Sequence, residues 1–116
     1  MVHLSNGIIK AEIAELGAEL QSLQKGDVEY LWDGRPEYWN GRAPILFPIC
    51  GGLADDEYEY DGKRYTLAKH GFARSKKFTV ESAGRDFAVF VLRDDEKTRE
   101  SYPFAFEFRA RFALVG

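Results

Sequence analysis

Phe104-Ala105-Phe106-Glu107-Phe108-Arg109-Ala110-Arg111-Phe112-Ala113-Leu114 is the stretch that decides the fold class of this chain. Phe104, Phe106, Phe108, Ala110, Phe112 and Leu114 fall on one side. Ala105, Glu107, Arg109, Arg111 and Ala113 fall on the other. A repeat of two residues is the period of a β-strand with one face buried. Wound as a helix, the same residues would spread their phenyl rings around the whole circumference. Working outward, Asp94 to Ser101 is polar and reads as a loop or one helical turn, ended by Pro103. Lys77 to Ser82 and Asp86 to Leu92 read as a hairpin about Ala83-Gly84-Arg85. Tyr58 to Tyr60 and Lys63 to Tyr65 read as another, because Asp61-Gly62 suits the positive φ angles of a two-residue type I′ turn. Glu29 to Trp32 reads as a short strand. Residues 8–24 are ambiguous on their own. Ile9, Ile13, Leu16, Leu20 and Leu23 recur at helical spacing, but Gly17 interrupts them. Short strands with frequent turns predict an all-β sandwich or barrel.

The totals narrow the class. At 116 residues the chain can bury one small core. An apolar content of 45%, with 15% aromatic, excludes disorder. Against 16 Lys and Arg stand 19 Asp and Glu, a net charge of -3 with no basic tract, which argues against a nucleic-acid partner. No apolar run is long enough for a membrane helix, and Met1 to Gly7 lacks the layout of a signal peptide. One cysteine excludes an internal disulfide and fits a reducing compartment, so the expected location is the cytoplasm. Two histidines and one cysteine argue against a metal site. No cofactor is expected, and Gly51-Gly52 lacks the Gly-Lys-Ser/Thr that would make a phosphate loop.

The candidate site lies between Gly41 and Arg74. Two turns rich in Gly and Pro bracket the aromatic hairpin, one running from Gly41 to Leu53 and the other Leu67-Ala68-Lys69-His70-Gly71-Phe72-Ala73-Arg74. Rigid turns that deliver cations and a histidine beside glycines and aromatics suit a binding site better than a plain connection. Arg42, Lys69, His70 and Arg74 are the candidate binding residues. Each has a plainer alternative. His70 would hold a turn, Arg42 and Lys69 would be ordinary surface cations, and Arg74 would pair with a carboxylate. Cys50 reads as a small buried side chain beside Gly51, His3 as an exposed terminal residue, and Trp32 and Trp39 as core aromatics.

Taken in order, these pieces resemble the aldose 1-epimerases, the galactose mutarotase-like proteins, and above all their LacX-type and hexose-6-phosphate epimerase-like branch. The matching pieces are Gly17-Ala18-Glu19-Leu20-Gln21-Ser22-Leu23, Tyr30-Leu31-Trp32, Arg42-Ala43-Pro44-Ile45-Leu46-Phe47-Pro48 with Gly51, Tyr58, Asp61-Gly62-Lys63, Tyr65, His70-Gly71-Phe72-Ala73-Arg74, Thr98 and Tyr102-Pro103-Phe104. The resemblance implies an antiparallel supersandwich with a sugar cleft across one face, of which residues 1–116 are the N-terminal portion of a single domain. It favours two strands over a helix, at about Ile8 to Ile13 and Glu19 to Gln24.

The resemblance also implies a chemistry, the interconversion of the α and β anomers of a free aldose. A base takes the anomeric hydroxyl proton, an acid protonates the ring oxygen, and the ring opens and recloses on the other face. His70 matches a family histidine that helps bind the sugar near its ring oxygen, an auxiliary role. Arg42 matches a sugar-contacting arginine. Nothing matches the family's general-acid histidine or general-base glutamate, and neither Glu100 nor Glu107 is assigned that part. The intact family member is an isomerase, and this chain alone is expected to be incomplete for catalysis. Two alternatives stay open. One is a non-catalytic carbohydrate-binding β-module. The other is a hexose-6-phosphate mutarotase, with Arg74 gripping the phosphate in a guanidinium fork. The expected partner is a monosaccharide or sugar phosphate, with Trp32, Trp39 or Phe72 as candidate surfaces for its apolar face. The last strand ends near Gly116 with an apolar face and an open edge, which predicts self-association or aggregation.

Overall fold

Alternating apolar residues set the strands, and their pairing sets three antiparallel sheets. The computed structural model describes residues 1–116. β1 (Val2–Ser5), β2 (Ile9–Ala14), β3 (Glu19–Lys25) and β4 (Val28–Glu29) pair in that order. β5 (Glu57–Tyr60) and β6 (Lys63–Thr66) form a separate hairpin. β7 (Thr79–Ala83), β8 (Phe87–Arg93) and β9 (Glu107–Ala113) form the third sheet, and helix α1 (Glu96–Ser101) links β8 to β9. No helix is long and apolar enough to cross a membrane.

The ambiguous residues 8–24 are strands. Ile13 is fully buried, but Leu16, one helical turn further on, lies in the β2–β3 connection and is 58% exposed. The helical spacing therefore corresponds to no common face. In that connection Gly17 has φ +72°, and a Cβ there would come within 2.7 Å of the Arg74 carbonyl oxygen. The Asp61-Gly62 turn has positive φ at both residues, 52° and 77°, as a type I′ turn requires.

Two expected elements change and one is added. The strand over Glu29 to Trp32 shrinks to β4, because the Glu29 carboxylate takes the place of a backbone partner. It accepts from the Ser22 hydroxyl at 2.5 Å and from the Leu23 N–H at 2.8 Å. The ladder of β9 starts at Glu107, where Asp94 Oδ1 takes the Phe106 N–H at 3.0 Å, so Phe104 to Phe106 lie outside the strand. β1, which the sequence did not announce, closes the first sheet by pairing Leu4 with Ala11.

Leu4, Ala11 and Ile13 from the first sheet meet Phe78, Ala88, Phe90 and Leu92, with Ala18 and Ala73 filling the gap. Phe106, Phe108, Phe112 and Leu114 pack against that core but remain half-buried. The core is thin, with 14 of 116 residues buried. The molecule measures 54 × 34 × 20 Å with a radius of gyration of 16.4 Å, where a compact chain of this length would give about 13 Å.

Two bulges break the ladders, one in the first sheet and one in the third. Between β2 and β3, Glu12 pairs with Ser22 and Ile13 with Leu20, leaving Gln21 as the extra residue. Between β7 and β8, Val80 pairs with Phe90 and Ser82 with Val89, leaving Glu81 extra.

Candidate functional site

The bulge at Gln21 positions Arg42. An extra residue in a strand is left out of the ladder, so its carbonyl needs another donor. Arg42 Nη1 supplies it at 2.8 Å. Two residues earlier in β3, Glu19 Oε2 accepts the backbone N–H groups of Arg42 and Ala43 at 2.8 and 2.9 Å. Backbone and guanidinium of Arg42 are thus both fixed to one strand.

His70 sits at the other end of the same connection. Its N–H donates to the Gly51 carbonyl at 2.8 Å, and its Nδ1 accepts the Gly51 N–H at 2.9 Å. An Nδ1 that accepts a hydrogen bond carries no proton, so the neutral ring holds its proton on Nε2 and offers an N–H donor there. The geometry requires φ +67° at His70 and +73° at Gly71. Gly71 meets Phe47 in a parallel bridge, and a Cβ on Gly71 would collide with the Phe47 carbonyl oxygen. That oxygen also accepts the N–H groups of Phe72 and Ala73, at 2.9 and 3.2 Å. The two turns singled out in the sequence are thus zipped together over Phe47 to Gly51 and His70 to Ala73. The Phe47–Pro48 peptide is cis.

Lys69, His70 and Arg74 belong to one turn, in which Arg74 Nη2 donates to the Lys69 carbonyl at 3.4 Å. Lys69 and Arg74 are exposed and neither forms an ion pair, so Arg74 does not hold its turn through a carboxylate. Arg42 connects to this group through the Arg42-to-Gly51 segment and makes no hydrogen bond to its side chains. None of the four lines the cavities of about 320, 400 and 280 Å³, which lie over β1 to β3, beside α1, and among Ile49, Leu53, Tyr58, Leu67 and Tyr102.

Two expectations about neighbouring residues are corrected. Cys50 is exposed, because the following Gly51 is turned inward to His70 and leaves the thiol outside. Trp32 and Trp39 are not core residues but are 37% and 51% exposed, on a connection that has no sheet to pack beneath. Glu19 is the contributor that sequence reasoning passed over. Its signal is a carboxylate two residues before the bulged position, inside a motif read only for its family resemblance.

Solved structures identify the class. The chain superposes on a galactose mutarotase-related enzyme from Lactobacillus acidophilus with a TM-score of 0.96 and 46% identity, covering 98% of this chain and 39% of that one. It matches a galactose mutarotase-like protein from Lactobacillus casei with a TM-score of 0.95 and 37% identity, over 99% and 40% of the two chains. The fold is therefore galactose mutarotase-like, all-β and antiparallel. The chain belongs to the aldose 1-epimerase family, whose match spans residues 1–116. Among curated relatives, the chromosomal LacX protein of Lactococcus lactis is 37% identical over 121 residues. That alignment includes 99% of this chain and 40% of LacX, so the chain spans about two-fifths of the curated relatives it matches.

Proposed function

We propose that residues 1–116 form the N-terminal part of a single mutarotase-like sandwich and contribute to the sugar-binding face of an isomerase that interconverts the anomers of a free aldose. The observation that carries this is the reciprocal His70–Gly51 pair, which occupies Nδ1 and leaves Nε2 as the ring's N–H donor on a turn rich in cations. Such a donor suits a sugar ring oxygen, and Arg42, Lys69 and Arg74 supply donors for hydroxyls. Neither Arg42 nor His70 matches the family's general acid or general base, and we assign those two parts to none of Arg42, Lys69, His70 and Arg74. We locate the protein in the cytoplasm, where an exposed Cys50 stays reduced.

A hexose 6-phosphate as substrate is the second reading. It is favoured by Lys69 and Arg74, two exposed cations on one turn with no carboxylate partner. A non-catalytic sugar-binding module is the outcome if binding occurs and mutarotation stays absent in the longest natural form of the protein. Polarimetry of freshly dissolved α-glucose, α-galactose and α-glucose 6-phosphate tests all three. For this chain alone the expected result is no acceleration, with saturation transfer to sugar protons in NMR. An acceleration that vanishes in His70→Ala would show that the chain carries its own acid and base. Absence of any sugar binding would refute the sugar-face assignment.

A further inference from the structure

The largest aromatic assembly of the molecule lies beside its buried core, not in it. The Phe47 ring stacks on Phe108 with centroids 4.4 Å apart, meets Phe106 at 5.2 Å, and meets Phe72 and Tyr102 at 6.1 Å. Tyr102 extends the group to Phe104 at 4.8 Å. Each of these rings is half-buried. Phe108 reaches inward at 6.1 Å to Phe78, a fully buried core residue. The assembly is therefore anchored in the core on its inner flank and only part covered elsewhere. Rings packed on one another in this way have the geometry of a desolvated interior. Two further observations bear on what covers them. β9, which supplies Phe108, is an outer strand of its sheet, so one edge of its backbone has no partner strand. The backbone also keeps the shape of its solved relatives while matching only about two-fifths of their length.

We infer that this aromatic assembly and the free edge of β9 form the docking face for the complementary portion of a galactose mutarotase-like fold, and that docking fixes the turn carrying His70. The inference rests on the reading of residues 1–116 as the N-terminal part of such a sandwich. It adds which face meets the rest and what that meeting does to the candidate site. A strand laid on the β9 edge continues the sheet, and its side chains fall beside Phe108. The link to the site runs through Phe47 and Phe72. Their rings belong to the assembly, and their backbones belong to the zipped turns. The Phe47 carbonyl accepts the Phe72 N–H at 2.9 Å, and Phe47 bridges Gly71, the residue after His70. A layer seated on the two rings therefore bears on the His70 turn through the chain itself. A second copy of this chain is the competing occupant, and the experiment separates the two.

The test co-expresses the 116-residue chain with the part of the Lactobacillus acidophilus relative that lies outside the match. A complex with one copy of each is expected, and it should bind no hydrophobic dye. Amide exchange should slow along Phe106 to Phe112, and also at Gly51, His70 and Gly71. Phe106→Ala, outside the β9 ladder, should weaken the complex about tenfold. A mixed complex with unchanged exchange at Gly51 and His70 overturns the inference. So does a chain that pairs only with its own copies, or protection confined to other surfaces. Should Phe106→Ala fail to fold, the exchange map of the wild-type complex decides. Should the relative's portion fail to assemble even with its own N-terminal portion, a single polypeptide joining residues 1–116 to it decides. A dye-free monomer with slowed exchange at His70 then supports the docking face, and an aggregate refutes it. Saturation-transfer NMR with D-galactose and D-glucose keeps the two readings apart. A mixed complex that binds neither sugar refutes the sugar face and leaves the docking face standing. Sugar binding by a chain that forms no mixed complex does the reverse.

Discussion

Glu19 and Gly71 matter at the residue scale because each fixes the turn that carries a candidate binding residue, Arg42 in the first case and His70 in the second. Glu19 accepts two backbone N–H groups on the Arg42 turn. Hydrogen bonds to a charged group contribute about 1.5–3 kcal/mol, and removing the acceptor leaves both donors unpaired. Glu19→Ala is therefore expected to destabilise the chain by about that amount in urea unfolding, and, on the proposed sugar face, to weaken sugar binding by loosening the Arg42 turn. Glu19→Gln should recover part of both. Gly71 lies at φ +73° with its Cα against the Phe47 carbonyl. Gly71→Ala meets strain and collision together, and a cost of at least ~1–3 kcal/mol is expected. A Gly71→Ala protein with an unchanged urea midpoint would show that the two turns are not zipped as described.

At the scale of elements, α1 begins at two carboxylates that are both held below the ordinary carboxyl range. Asp95 caps it, accepting the Thr98 N–H at 2.8 Å while the Thr98 hydroxyl accepts the Asp95 N–H at 2.9 Å. The Thr98 N–H, with the charge of Lys76 adding to it, holds the Asp95 carboxyl below its ordinary 3.8. The Phe106 N–H, and then the Arg99 guanidinium, do the same for Asp94. A carboxyl lowered on folding adds stability that is fully present above its unfolded value. That stability is lost as pH falls below about 4 through the folded value. Thermal melts should therefore fall in temperature across that acid range, and Asp94→Asn with Asp95→Asn should flatten the decline. An identical acid limb in the double variant would refute the cap's role. Much of this scale was legible in the sequence. Alternation announced β9, Asp-Gly announced the β5–β6 turn, and Pro103 ended the helical turn. Two of the losses share a cause. At β4 and at the start of β9 a side-chain carboxylate, Glu29 or Asp94, replaces a backbone partner. Such long-range substitutions leave no local period to read. The same limit hid Glu19, whereas His70 and Arg42 stood out because short motifs surround them.

For the molecule as a whole, thinness is the dominant fact. The surface measures 7599 Å², where a compact monomer of this mass would expose about 6400 Å². β9 is an outer strand of its sheet, with an unpaired edge and a half-buried aromatic face. Each large apolar side chain that becomes covered contributes about 1.5–3 kcal/mol. The chain on its own is therefore expected to self-associate in sedimentation over a range of concentrations. Antiparallel pairing of two β9 edges centred on Phe108 sets Glu107 of one copy opposite Arg109 of the next, an attractive match. Glu107→Arg would place like charges there and should shift the equilibrium toward monomer. A wild-type monomer at all concentrations that binds no hydrophobic dye would show that the thin core suffices alone.

Gln21 has a consequence for anyone who would engineer this protein for robustness. It is the one residue that breaks the in–out order of β3, since Leu20 and Leu23 pack on the core and Ser22 pairs with Glu12 on the opposite face. Deleting it would restore an unbroken ladder with every other side chain where it is now. The shortened strand would be the more regular one, and it would have no spare carbonyl to offer Arg42. A gain in ladder regularity and the loss of the Arg42 hydrogen bond would then follow from a single codon. That makes position 21 a place where screening for stability alone selects against the sugar contact proposed for Arg42.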